Sequence, residues 1–102
     1  MKQMNQRDAI HYIATQQEFK ASALSGHAHT EGTGRLSDSL DRERFLQDVE
    51  GINYAVYSYG TPIAWYTEGN GWYVVEQKFS VTTSKHQNYV RRAIAESLEI
   101  AV

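Results

Sequence analysis

At 102 residues, with ten basic and twelve acidic side chains, the chain has the size of one domain and a net charge of −2. It therefore lacks the overall basic character of a nucleic-acid-binding domain. A chain this short buries only roughly 60–68% of the surface its unfolded form exposes, which argues against a large enclosed active site, and the absence of cysteine excludes disulfides, thiolate metal sites and a cysteine nucleophile.

The start, MKQMNQRDAIHY, has no apolar signal core, and no run approaches membrane-spanning length. The expected setting is the cytoplasm, with no membrane partner and no cofactor. Asn5 with Asp8 three residues on reads as a helix N-cap, and Ala9, Ile10, Ile13, Ala14 and Gln17 share one face, so a helix is expected from about Gln6 to Gln17. Phe19 to Leu24 fits either a frayed helix end or a short extended piece. Ser25 to Arg35 (SGHAHTEGTGR) has three glycines and almost nothing apolar, which is loop composition. Leu36, Leu40, Phe45, Leu46 and Val49 predict a second short helix, capped by Ser37 or Ser39 and ended by Gly51.

From Tyr54 the period changes. Tyr54–Tyr59 reads as a strand, Gly60-Thr61 as a two-residue turn and Pro62–Thr67 as the returning strand. Glu68 to Gly71 is a second turn, and Trp72–Val81 is the longest expected strand. Its face of Tyr73, Val75, Phe79 and Val81 would be buried and the opposite face solvated. Ser84 and Gln87 fit a capping box. Val90, Ala93, Ile94, Ser97, Leu98 and Ala101 follow at helical spacing. The expected fold is α+β: a three-stranded antiparallel meander packed against a C-terminal helix, with one or two N-terminal helices. A single domain is expected, residues 1–51 forming a helical and loop half and 52–102 the meander with its helix.

Polar chemistry converges at the start of the last helix. Thr82, Thr83, Ser84, Lys85 and His86, with Arg91 and Arg92 further along, place hydroxyls and cations where helix N–H groups lack partners and the macrodipole favours an anion. Lys85, Arg91 and Arg92 early and Glu96 and Glu99 late oppose the dipole, each costing roughly 0.3–1 kcal/mol. The plainer explanation is an ordinary capped helix with solvated charges. His86 has the titration range of a general acid or base, but no G-x-S-x-G elbow accompanies it and no catalytic residue is assigned. His27, His29 and Glu31 alternate in the glycine-rich loop, and His11 or His86 could add a third nitrogen. The familiar zinc spacings are absent, so a solvated loop is preferred and no metal is assigned. Tyr54, Tyr57, Tyr66, Trp72 and Tyr73 are candidates for an aromatic interaction surface, with strand propensity as the bland explanation.

The segments FKASALSG, TGRL, YAVYSYGTPIAWY and KFSVTTSKHQNYVRRA resemble a family of short uncharacterised proteins of bacteriophages, prophages and actinobacterial genomes. The resemblance runs from about Phe19 to Arg92. It rests on Ser58, Tyr59, Thr61, Pro62, Ile63, Ala64 and Trp65, then on Ser80, Thr82, Thr83, His86 and Gln87. LSDSLDRERFLQDVEGIN reads as an insertion particular to this chain. The resemblance implies a phage-encoded protein and brings no activity with it. The preferred expectation is a binding protein acting on host machinery by protein–protein contact, such as an inhibitor of a host nucleic-acid enzyme or defence system. The alternative is a nucleic-acid- or phosphate-binding regulatory domain that uses Thr83 to Arg92. Homodimerisation through a strand edge stays open.

Overall fold

Five antiparallel strands lie side by side in chain order: β1 (Phe19–Ala21), β2 (Leu24–His27), β3 (Ile52–Ser58), β4 (Thr61–Thr67) and β5 (Gly71–Val74). The helices are α1 (Gln6–Ala14), α2 (Ser39–Asp48), which runs into a 3-10 turn at Val49–Gly51, and α3 (Val81–Ala101). This computed structural model describes residues 6–37 and 39–101, and side chains from 8 to 97 except 38 and 39. The Asn5 cap thus lies outside the described residues, as do the side chains of Ser39, Leu98 and Ala101.

The α+β class holds, but the sheet has five strands rather than three. Residues 1–51 are not purely helix and loop, because they supply the β1–β2 hairpin, whose second strand pairs Leu24–His27 with Ser58–Ala55 of β3. The hairpin is short, and its buried Phe19, Ala21 and Leu24 are compatible with helical as well as strand spacing. Ser22 turns the chain with φ 59°. Gly26 in β2 is required by close approach: a Cβ there would enter the Tyr54 hydroxyl and the Phe19 ring. α1 stops at Ala14, earlier than Gln17, because Gln16 adopts φ 54° and closes a Schellman motif. Gln17 N–H donates to Tyr12 O (2.8 Å) and Gln16 N–H to Ile13 O (3.0 Å).

The β3–β4 turn is Tyr59-Gly60, one residue before the expected pair, with Ser58 opposite Thr61. Positive φ at both residues (52° and 77°) matches the right-handed strand twist of a type I′ hairpin. Ile63 is the extra residue of a bulge, since Val56 pairs with Ala64 and Tyr57 with Pro62. Ile63 and Ala64 accordingly join the same core.

The expected single buried face is also corrected: the sheet is covered on both. On one face Ile13 of α1 and Val90 of α3 pack with Phe19, Leu24, Tyr54, Val56 and Ile63 of the sheet. Under α2 lie Leu36, Phe45, Ala55, Tyr57, Trp65 and Val75. Trp65 is the centre of this second core, edge-on to Phe45 and stacked on Tyr73, each at 5.0 Å between ring centroids. The segment expected to be an insertion thus builds a whole layer. Two buried carboxylates tie it down. Asp48 accepts from Trp65 Nε1 (2.9 Å), Arg44 Nε (2.9 Å) and Asn70 Nδ2 (3.2 Å). Asp41 accepts from the Tyr73 hydroxyl (2.5 Å), Gln77 N–H (2.9 Å) and Glu76 N–H (3.3 Å).

Those bonds explain why β5 ends at Val74 instead of running to Val81. Gln87 Nε2 donates to Val75 O (2.9 Å) and Gln77 O (3.2 Å), so side chains replace the ladder there. α3 consequently begins three residues before Ser84. Ser80 is its cap, with Thr83 N–H on Ser80 Oγ (3.2 Å), and Gln87 is not a capping-box partner.

Candidate functional site

β3 ends at Ser58, beside the first turns of α3, and there the sheet and helix join through polar groups. On α3 the inward stripe is Thr83, His86, Gln87, Val90 and Ala93. Ser58 Oγ lies 2.7 Å from His86 Nδ1 and 3.1 Å from Thr83 Oγ1, and Ser80 Oγ donates to Thr83 Oγ1 at 3.3 Å. His86 is fully buried, with Tyr59 stacked at 6.3 Å and Tyr89 at 6.2 Å. Burial, with Lys85 as the lesser cause, pulls the imidazole below its ordinary 6.5. His86 is therefore neutral at pH 7.

In front of this chain of hydroxyls is a cleft of about 260 Å³ lined by Arg35, Ser58, Tyr59, Thr61, Phe79, Ser80 and Thr83. The positive end of the α3 macrodipole lies at its edge. Arg35 reaches it because the β2–α2 connection passes tightly over the β3–β4 turn. Gly34 (φ 50°) makes that passage possible, as a Cβ would collide with Gly60 O and Thr61. Arg35 N–H then donates to Thr61 Oγ1 (2.8 Å). A cation, four hydroxyls and a helix start around so small a space can hold one anionic group.

The expected site residues divide. Thr83 and His86 point inward to Ser58, and Ser84 is half-buried, whereas Thr82, Lys85, Arg91 and Arg92 are exposed. At about 100° per residue, Lys85 and Arg92 share one edge of α3 and Arg91 lies on the other. Arg91 bonds Asn88 (3.1 Å), while Arg92 lines a separate depression with Ile10, His11, Tyr89 and Glu96. Arg35 and Ser58 were not expected in the site. Their signal was the TGRL segment and the serine that opens SY-x-TPIAW.

The aromatic surface does not form as expected. Tyr54 and Tyr57 are 0% and 3% exposed, and Tyr66, Trp72 and Tyr73 are half-buried. The phenols serve as ties instead. Tyr54 donates to Gln17 O (2.7 Å), and Tyr57 Oη accepts from Glu31 N–H (2.6 Å) and donates to Gly32 O (3.2 Å). Burial raises the Tyr54 and Tyr57 hydroxyls above their usual range. The exposed aromatic is Tyr59, at 61%.

At the end of β2 and in the connection that follows it, one ligand atom each from His27, His29 and Glu31 lie within 4.8 Å of one another. Neither His11 nor His86 belongs to that cluster.

Fold and cleft define a small α+β domain whose antiparallel sheet is sandwiched between helices, with a polar cleft where β3 meets α3. Residues 10–97 match the model of a family of unknown function, DUF8033, and the chain belongs to that family. The matched span includes α2 and both sequence motifs. No curated protein and no solved structure matches the chain. No helix among the described residues is long and apolar enough to cross a membrane.

Proposed function

We propose that the protein is a binding domain that docks on a partner protein through the cleft at the start of α3, taking a phosphate or carboxylate of the partner. One observation carries this reading: Arg35 and the hydroxyls of Ser58, Thr61, Ser80 and Thr83 line one cleft although they come from three separate stretches of chain. Apolar side chains at the cleft favour a protein over a nucleic-acid backbone. Tyr59 is 61% exposed, and Val81, which opens α3 next to Ser80, is 86% exposed. Single exposed apolar residues are common, but here Tyr59 lines the cleft and Val81 follows its Ser80 in the chain. Nucleic acid is less well served, since Lys85, Arg91 and Arg92 are split between two edges of α3 and the net charge is −2.

The likeness of the motifs to phage, prophage and actinobacterial proteins supports a host protein as the partner, met in the host cytoplasm. An inhibitory role on a host nucleic-acid enzyme or defence system is the finer form of the proposal. Its test is an affinity pulldown from host lysate after nuclease treatment, with wild type beside Arg35→Ala and Tyr59→Ala. A stoichiometric protein captured by wild type and lost with both variants is expected. Capture that ignores both substitutions, or that vanishes with nuclease, rejects the reading.

A further inference from the structure

A second cluster of polar side chains lies away from the α3 cleft, where the chain leaves β2. His27 ends that strand, and Tyr57 of β3 clamps the residues that follow by bonding Glu31 N–H and Gly32 O. The clamp turns His29 and Glu31 back towards His27. His29 Nε2 stands 3.5 Å from Glu31 Oε2, and His27 Nδ1 stands 3.8 Å from the same oxygen. In a tetrahedral zinc site, bonds of about 2.0–2.2 Å put neighbouring donor atoms about 3.3–3.6 Å apart. The cluster is thus within a few tenths of an ångström of that spacing on two of its three edges.

Each ring also faces a polar group on its outer side, as metal-ligating histidines do. His27 turns its other nitrogen, Nε2, to Ser25 Oγ at 2.9 Å. His29 turns its other nitrogen, Nδ1, to Glu18 Oε2 at 3.6 Å. Glu18 is itself fixed by Ala28 N–H, which donates to that oxygen at 3.0 Å. A carboxylate held behind a ligating ring orients it.

We propose that His27 Nδ1, His29 Nε2 and the Glu31 carboxylate bind a divalent transition-metal ion of the zinc type, with Ser25 and Glu18 as outer supports. Two imidazoles and one carboxylate suit zinc, cobalt or nickel rather than calcium or magnesium, which take oxygen donors. Three protein ligands leave a fourth position open. A cleft of about 370 Å³ beside His27 and Glu31 gives that position access to solvent.

The test is isothermal titration of the untagged full chain with zinc chloride, repeated with magnesium chloride. One zinc ion per chain is expected, with no saturable magnesium binding. His29 and Glu31 are 61% and 44% exposed, so His29→Ala and Glu31→Gln leave the fold intact, which circular dichroism checks. Each is expected to weaken zinc binding at least tenfold. Glu18→Gln should weaken it by about tenfold or more through the ring it orients, and His11→Ala should leave it unchanged. Absence of one-per-chain binding, retention of full affinity in His29→Ala or Glu31→Gln, or loss of binding in His11→Ala overturns the proposal.

Discussion

Ser58 and His86, 28 residues apart in the chain, meet at 2.7 Å between the end of β3 and the second turn of α3, both shut away from solvent. The bond gives a buried ring nitrogen a partner in the core, where an unmet polar group costs about 1–3 kcal/mol. The same hydroxyl also meets Thr83, so one serine serves two residues of the helix.

Ser58→Ala should therefore destabilise the protein by about 1–3 kcal/mol, because it removes the buried bonds to His86 Nδ1 and Thr83 Oγ1. His86→Ala should cost more, about 2–4 kcal/mol, since it also opens a cavity under Tyr59. Urea unfolding of both variants and their double mutant measures this. A double-mutant cycle should show coupling, as the two residues share the bond.

Acid should weaken the fold through His86. Its folded-state value is lowered by burial and by Lys85, so the unfolded chain binds the proton more readily. The contribution is complete above the unfolded value of about 6.5, and falls away as pH drops from there towards the folded value. Melting temperature between pH 7.5 and 5.5 should decline more steeply in wild type than in His86→Gln. Parallel curves would remove His86 from the account.

Asp41→Ala should cost about 2–4 kcal/mol, because one buried carboxylate satisfies the Tyr73 hydroxyl and the Glu76 and Gln77 N–H groups. Burial first, and the Asp41 bond second, push the Tyr73 phenol up to about 12. In the variant its ultraviolet titration should fall part of the way back towards 10.0, and amide exchange at Glu76 and Gln77 should accelerate.

Gly26→Ala should destabilise by about 3 kcal/mol or more, as the methyl group enters space held by Tyr54 and Phe19. Gly69→Ala, where a Cβ meets nothing within 4 Å, is the control. Thermal melts of the pair distinguish close approach from a general effect of losing glycine.

Local signals were enough to place α2, β3, β4 and the second meander turn, and the first turn to within one residue, because apolar period, β-branching and glycine at positive φ act within a few residues. Within the site, local signals singled out His86 and a terminal helix but set its start at Ser84, three residues after the observed one. The two motifs hold Trp65, His86 and Gln87, each of which is a structural pivot. They did not reveal what those residues bond to. Tyr54 and Tyr57 illustrate the limit: as strand residues they were legible, but whether they faced water depended on layers contributed by α1 and α2.

The sequence by itself determined an α+β domain with no cysteine chemistry, a tight antiparallel hairpin around Gly60 and a long terminal helix. Only the tertiary structure decided that the sheet gains the β1–β2 hairpin, that both faces are covered, and that β5 stops at Val74. It also decided that Arg35 joins Ser58 and Thr83, and that Glu18 stands behind His29. The reason is physical. Periodicity records which side of an element avoids water, averaged over a few turns, whereas these features rest on single side chains bonding groups 10 to 40 residues away. Such bonds leave no period in the chain, and their partners are chosen only when the layers close.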